Sequence, residues 1–260
     1  MRGGQAVKGQ SFNSWRNVGQ VRMTVRVHQA RQVDELAILD ITGSLPDLAL
    51  VRALGNDCFF PVAFGGGITR VDHGIALLSS GADKVIINTA AANSEAGLVE
   101  GLSTKLGNQS VMVSIDVKDG TVWTHSGTHN TGLSPVRYAQ SVESRGAGEI
   151  LLTDIVRDGT LGGYNLPLIA EVSAAVSIPV VAAGGAGTYR HLAEAYDAGA
   201  HAVAAGAMWC FTDQTPGEAA EYLAARGYNV RNTRHQWTLT ATQTQQHKLS
   251  HSSENTGTCI

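Results

Sequence analysis

The sequence predicts an α/β fold: an eight-stranded (β/α)8 TIM barrel made of two half-barrel repeats. Three observations predict it. Seven short apolar runs rich in Val and Ile recur along the 260 residues, with amphipathic stretches between them. The runs do not alternate strictly with polar residues, as expected of parallel strands covered on both faces. Residues 61–85, PVAFGGGITRVDHGIALLSSGADKV, also align with residues 179–203, PVVAAGGAGTYRHLAEAYDAGAHAV, at an offset of 118. Such self-similarity marks one unit used twice.

Composition agrees. Apolar residues make up 43% of the chain and charged residues 16%, with 30 glycines. That suits a compact α/β domain better than a disordered or coiled-coil chain. The formal net charge is -3 and no basic block stands out, so nucleic acid is not the expected partner. Cys58, Cys210 and Cys259 have no metal-ligand spacing; a sparse, odd set points to a reducing compartment. No apolar run is long enough to span a bilayer and no signal-peptide pattern is present. The expected location is the cytoplasm, without a membrane partner.

The elements follow in order. ELAILDI (35–41) is the first strand run and contains Asp40. FFPVAFG (59–65) feeds a glycine cluster, GGGI (65–68). RVDHGIALLSSGA (70–82) reads as a helix stopped by Gly-Ala, a good helix end before a strand. KVIIN (84–88) and SVMVSIDV (110–117) are the next strands. PVRYAQSVESRGA (135–147) is a helix and EILLTDI (149–155) a strand. PVVAAGG (179–185) leads into AGGAG (183–187), YRHLAEAYDAGA (189–200) is a helix, and AVAAGAM (202–208) is the last strand. Barrels of this kind take eight strands in about 250 residues. Seven are visible, so strand one is expected ahead of residue 1 and the barrel domain is 1–231. Residues 232–260 are Thr, Gln, Ser and His with almost no periodicity, the composition of a disordered tail. The spacing of His235, His247 and His251 fits no compact metal site.

Active sites of such barrels lie at the C-terminal ends of the strands. The glycine clusters at 65–68 and 183–187 hold equivalent places in the two halves. Small residues let backbone N–H groups approach an anion, so the pair predicts two phosphate sites and a ligand with a phosphate at each end. The plainer alternative is that these glycines serve turns and tight helix packing. Neither cluster fits a P-loop or a sound dinucleotide fingerprint. Asp40, Asp116, Asp154 and Asp158 lie at or just beyond strand ends. Asp116 is expected to point into the mouth and to serve in acid/base chemistry; its plainer role is capping, or pairing with a nearby lysine such as Lys118. Asp158 either caps the turn RDGT (157–160) or orients substrate.

The motifs ELAILDIT (35–42), GGGI (65–68), GADKVIINTAA (81–91), SIDVK (114–118), THSGTHNTG (124–132), GAGEILLT (146–153), RDGT (157–160) and SIPVVAAGGAG (177–187) together resemble the cyclase subunit of imidazole glycerol phosphate synthase, over about residues 1–231. The resemblance implies that ammonia from a glutaminase subunit enters the base of the barrel and meets a bisphosphate ribulosyl-formimino substrate. The products are imidazole glycerol phosphate and an aminoimidazole carboxamide ribonucleotide. No cofactor and no metal is implied. Asp116 matches one of two catalytic aspartates. Gly66, Gly67, Asn88, Thr89, Asp158, Gly159, Gly185, Ala186, Ala205 and Gly206 match substrate and phosphate positions. Lys8 matches a lysine of a mobile first loop, and Asp83 would face the glutaminase. Glu35, Lys84 and Glu149 match three of four charges ringing an ammonia gate at the barrel floor. From the residues alone, such charges at strand starts read as solvated ends or an inter-strand ion network.

Some features depart from the pattern. The fourth gate charge, an Arg on strand one, would lie upstream of residue 1. Val156 stands where the cyclase often has an Asp. TDIVRDGTLGG also resembles the related sugar isomerase of histidine synthesis. DCFFPVAFGGGI and AVAAGAM resemble a cyclase-like group that channels ammonia into amino- or amidino-sugar synthesis. That group and a non-catalytic bisphosphate-binding barrel are the alternatives. Laid on VKDGTVW (117–123), the opening residues pair Met1 with Val117 and Gly4 with Gly120. The counterpart of Asp116, the family's other catalytic aspartate, would then precede residue 1, and residues 1–260 alone are expected to be unstable or inactive.

Overall fold

A computed structural model of the chain describes residues 1–93 and 97–231. The expected tail, with its three histidines and Cys259, lies outside the described residues.

The chain opens with an antiparallel hairpin, β1 (Gln5–Gln10) and β2 (Asn13–Gln20), that forms a sheet of its own. After α1 (Val21–Ala30), strands and helices alternate. They are β3 (Leu36–Leu39), α2 (Leu48–Asp57), β4 (Val62–Gly65), α3 (Val71–Ser79), β5 (Lys84–Ile87), α4 (Thr89–Ala92), α5 (Leu98–Leu106) and β6 (Val111–Lys118). A small hairpin follows, β7 (Thr121–Thr124) and β8 (His129–Asn130). Then come α6 (Pro135–Ser144), β9 (Glu149–Asp154), α7 (Leu166–Ala175), β10 (Val180–Ala183), α8 (Tyr189–Asp197), β11 (Ala202–Val203), α9 (Ala207–Phe211) and α10 (Pro216–Ala224).

All seven expected strands form. They pair in parallel in the order β3-β4-β5-β6-β9-β10-β11, a sheet curled into the α/β wall of a TIM-barrel-like fold. Both faces are buried, which is why the runs do not alternate. The outer face packs Phe64, Val85, Val113, Ile150 and Val180 with helix residues such as Val51, Leu77, Leu102 and Leu192. The inner face forms a second cluster of Ala63, Ile86, Met112, Leu151 and Val181. The last run keeps only two paired residues, because the chain turns at Gly206 to begin α9.

The Gly-Ala helix stops work as read. Gly81, Gly146 and Gly199 stand at φ +108°, +97° and +100°. The amides of Ala82, Ala147 and Ala200 then reach back to the carbonyls of Leu77, Val142 and Ala195 at 3.0–3.1 Å, the long bond of a Schellman end. One device thus ends three helices and starts three strands.

Among the described residues, β3 and β11 are the two ends of the parallel path. Met1 lies beside β3: its ammonium donates to the Leu39 carbonyl, and the Ile41 amide donates to the Met1 carbonyl at 3.0 Å. The outer wall continues from one end to the other through Arg31. Its Nη1 donates to the Trp209 carbonyl at 2.9 Å, and its own carbonyl accepts from the Gly217 amide at 3.0 Å.

Candidate active site

Alternate residues of a strand share a face. On the inner face, β5 and the residue after it place Lys84, Ile86 and Asn88. β6 places Met112, Ser114 and Asp116, and β9 places Glu149, Leu151 and Thr153. The inner wall is therefore charged at its floor, apolar in its middle and polar at its mouth.

At the floor, Lys84 Nζ lies 3.0 Å from Glu35 Oε1 and 2.6 Å from Glu149 Oε2. The three residues expected at a gate do meet. Burial pushes the Glu35 carboxyl above its ordinary value despite the bonds from Lys84. Burial pulls the Lys84 ammonium down, but its bonds to Glu149 and Glu35 outweigh this and hold it above its ordinary value. Asp83 is exposed nearby, and its Oδ2 accepts from the Val62 amide at 2.8 Å. It borders a hollow of about 320 Å³ lined also by Cys58, Phe60, Pro61 and Gly81. Phe59 on the rim is 86% exposed.

At the mouth, Asp116 is buried, 7% exposed. Ser114 Oγ donates to its Oδ1 at 3.0 Å. Asn88 Nδ2 donates to its Oδ2 at 3.1 Å and to the Ser114 carbonyl at 3.0 Å. The carboxylate is thus bracketed from both sides by neutral donors. Burial pushes its pKa up most strongly; the Ser114 bond opposes this, the Asp158 charge adds to it, and a Thr153 bond opposes it, leaving the group at about 7. A carboxyl poised there can both give and take a proton at neutral pH. Lys118, the plainer partner, lies elsewhere, its Nζ 4.7 Å from the centre of the Trp123 ring.

The first hairpin crosses this mouth. Lys8 Nζ bonds both oxygens of Asp158 at 2.8 and 3.2 Å, with the two side chains 19% and 11% exposed. Lys8 passes over Gly206, where a Cβ would come within 3.0 Å of its Cε. At Gly159, φ +76°, a Cβ would meet the Gly9 carbonyl at 2.4 Å. The Ser11 amide and hydroxyl add bonds to the carbonyls of Asp158 and Val156 at 2.8 and 3.1 Å. The second hairpin rests on Thr89, whose hydroxyl accepts from the His125 amide at 3.0 Å and donates to Asn88 Oδ1 at 3.2 Å.

The glycine clusters are symmetric in space as in sequence. A Cβ on Gly66 would lie 2.4 Å from the Asp40 carbonyl oxygen, and one on Gly184 2.6 Å from that of Asp154. A Cβ on Gly67 would lie 2.2 Å from the Ser44 carbonyl carbon, and one on Gly185 2.1 Å from the Gly163 carbonyl oxygen. Close backbone approach therefore requires these glycines whatever they bind. Ala186 is buried beside Gly185 and Ala205 is half-buried before Gly206. The symmetry extends to two side chains that sequence reading missed. His73 Nδ1 accepts from the Thr69 amide at 3.3 Å, and His191 Nδ1 from the Gly187 amide at 3.2 Å.

Two strand-end aspartates turn out to brace loops. Asp40 Oδ1 takes the Thr42 amide and hydroxyl at 2.9 and 2.6 Å. Asp154 takes the Arg157 amide at 3.0 Å and Asn165 Nδ2 at 2.7 Å. Ser114 and Thr153 were also missed, although strand alternation in SIDV and LLTD would have found both faces.

Residues 1–214 match the family model described as Histidine biosynthesis protein. A protein of Hyphomonas neptunium named imidazole glycerol phosphate synthase subunit HisF is 42% identical over 237 residues, which cover 88% of this chain and 94% of that one. A protein of the same name from Caulobacter vibrioides is 42% identical over 239 residues, covering 88% and 92%. Another from Thermococcus gammatolerans is 39% identical over 236 residues, covering 88% and 93%.

Proposed function

The chain belongs to the histidine-biosynthesis protein family, and on that premise we propose that it works as the cyclase subunit of imidazole glycerol phosphate synthase. The observation that carries the reading is Asp116: a buried carboxyl at the mouth, bracketed by Ser114 and Asn88 and balanced near neutral pH. Ammonia attacks the ketone carbon of the ribulosyl chain through its lone pair, and that carbon loses its oxygen as water. The same nitrogen then closes on the formimino carbon, whose bond to the ribonucleotide amine breaks. At each step the attacking nitrogen must lose a proton and the leaving water or amine must gain one. A carboxyl balanced at about 7 serves both transfers.

The two glycine clusters, with Asn88 and Thr89 on one side and Ala205 and Gly206 on the other, take the two phosphates. Lys8 supplies a cation that an anionic ligand draws away from Asp158. The floor of the barrel faces a glutaminase subunit; Asp83 and the exposed Phe59 belong to that face, and Glu35, Lys84 and Glu149 gate the ammonia. The barrel domain is residues 1–231. The protein works in the cytoplasm; no described helix is long and apolar enough to cross a membrane.

The test is calorimetric binding of each product separately, with ammonium-dependent conversion of the bisphosphate followed in parallel on the chain completed ahead of residue 1. Binding of both products is expected, with conversion lost in Asp116→Asn. If neither product binds, the cyclase reading is wrong.

A further inference from the structure

We propose that Arg145 is a positioning residue for the Asn88–Thr89 phosphate subsite, acting through the carbonyl of Ala91. This rests on the cyclase reading above. Arg145 is the residue at which α6 ends, and its side chain is 10% exposed. Its Nη1 donates to the Ala91 carbonyl at 2.8 Å and its Nε to Glu100 Oε1 at 2.9 Å. One guanidinium thereby ties together α4, α5 and α6.

Ala91 belongs to the single turn that follows Asn88, and its amide bonds the Asn88 carbonyl at 2.9 Å. The last carbonyls of a helix have no partner of their own, and α4 has no basic residue in its last turn. Arg145 reaches across to supply one. A continuous path of hydrogen bonds results: Arg145 holds Ala91, Ala91 holds the Asn88 backbone, and the Asn88 amide holds Asp116. Thr89, at the start of the same turn, shares its hydroxyl with Asn88.

The bland role is a weld between helices. Burying a charge for that purpose alone gains little, because apolar packing of similar volume is often as stable. Glu100 takes only the Nε of the guanidinium, so it does not account for the direction of Nη1. What apolar packing cannot supply is a directional donor to Ala91. Arg145 Nη2 is buried with no protein hydrogen bond, as is Tyr138 Oη on the same helix.

The test compares binding of imidazole glycerol phosphate and of the ribonucleotide product, each with one phosphate, to wild type, Arg145→Met and Arg145→Lys. Losing a bond from a charged donor is expected to weaken one product about tenfold in Arg145→Met, with the other within about twofold. Lysine, a point donor, recovers most of the loss. Equal weakening of both products, or of neither, overturns the proposal. Should Arg145→Met not fold, Arg145→Gln, polar but too short and uncharged to replace the donor to Ala91, carries the test through the side-chain amide resonance of Asn88, read without ligand. A shift is expected, and an unmoved resonance overturns the proposal. That readout stands even where neither product binds, the outcome that removes the cyclase reading instead.

Discussion

Replacing Ser114 with alanine tests the balance at the buried carboxyl of Asp116. The Ser114 hydroxyl donates to Asp116 Oδ1 at 3.0 Å in a site where both residues are buried. A hydrogen bond to a charged group contributes about 1.5–3 kcal/mol, and one pKa unit corresponds to about 1.4 kcal/mol. The Asn88 bond to Oδ2 remains, and part of the lost bond is recovered by relaxation. We therefore expect Asp116 to move from about 7 to roughly 8 in Ser114→Ala. At pH 7 the ionised fraction falls from about one half to about one tenth. The assay is a carboxylate-carbon NMR titration of Asp116 in both proteins, which needs no turnover. A midpoint that stays put, or moves down, refutes the argument that Ser114 stabilises the ionised form.

Four further outcomes follow from the geometry described above. Asp116 titrates at about 7 in the fold, against 3.8 for the free side chain; its contribution to stability is full below about 4 and is lost as pH rises through about 7. Asp116→Asn removes that loss, so urea unfolding should show the variant gaining on wild type by on the order of 4 kcal/mol between pH 4 and 8. Lys84→Met leaves Glu35 and Glu149 facing each other half-buried; it should cost about 1–2 kcal/mol at pH 8 after allowing for solvent screening, and the deficit should shrink as the medium is acidified through the carboxylate range. Gly185→Ala puts a Cβ 2.1 Å from the Gly163 carbonyl oxygen at φ +114° and should cost about 2–4 kcal/mol by thermal melting. Gly3→Ala, at φ +53° with open space around it, should cost about 1 kcal/mol.

The seven strands were legible because burial on both faces leaves apolar runs that composition alone exposes. The helix ends were legible because Gly-Ala makes the same backbone bond three times. Asp116 was legible from its place at a strand end. The floor triad was legible in part: from the residues alone, charges at strand starts read as solvated ends or an inter-strand ion network, and the sheet decides for the network by bringing Glu35, Lys84 and Glu149 within bonding distance. The opening hairpin was also hidden. Its turn places Ser11 and Phe12 at φ +49° and +58°, where a sequence would normally signal with Gly or Asn. The Lys8–Asp158 pair joins residues 150 apart, beyond any local pattern.

Arg31 fastens the outer wall where the parallel ladder has its two ends, with one backbone and one side-chain bond. A ladder between strands opens only when many amides part together, whereas this clasp has two hydrogen bonds besides the apolar packing around it. Native-state hydrogen exchange should therefore reach Gly217 and the edges of β3 and β11 long before the centre of β6. The two bonds of Arg31 thus set how early the outer wall yields relative to the centre of the sheet.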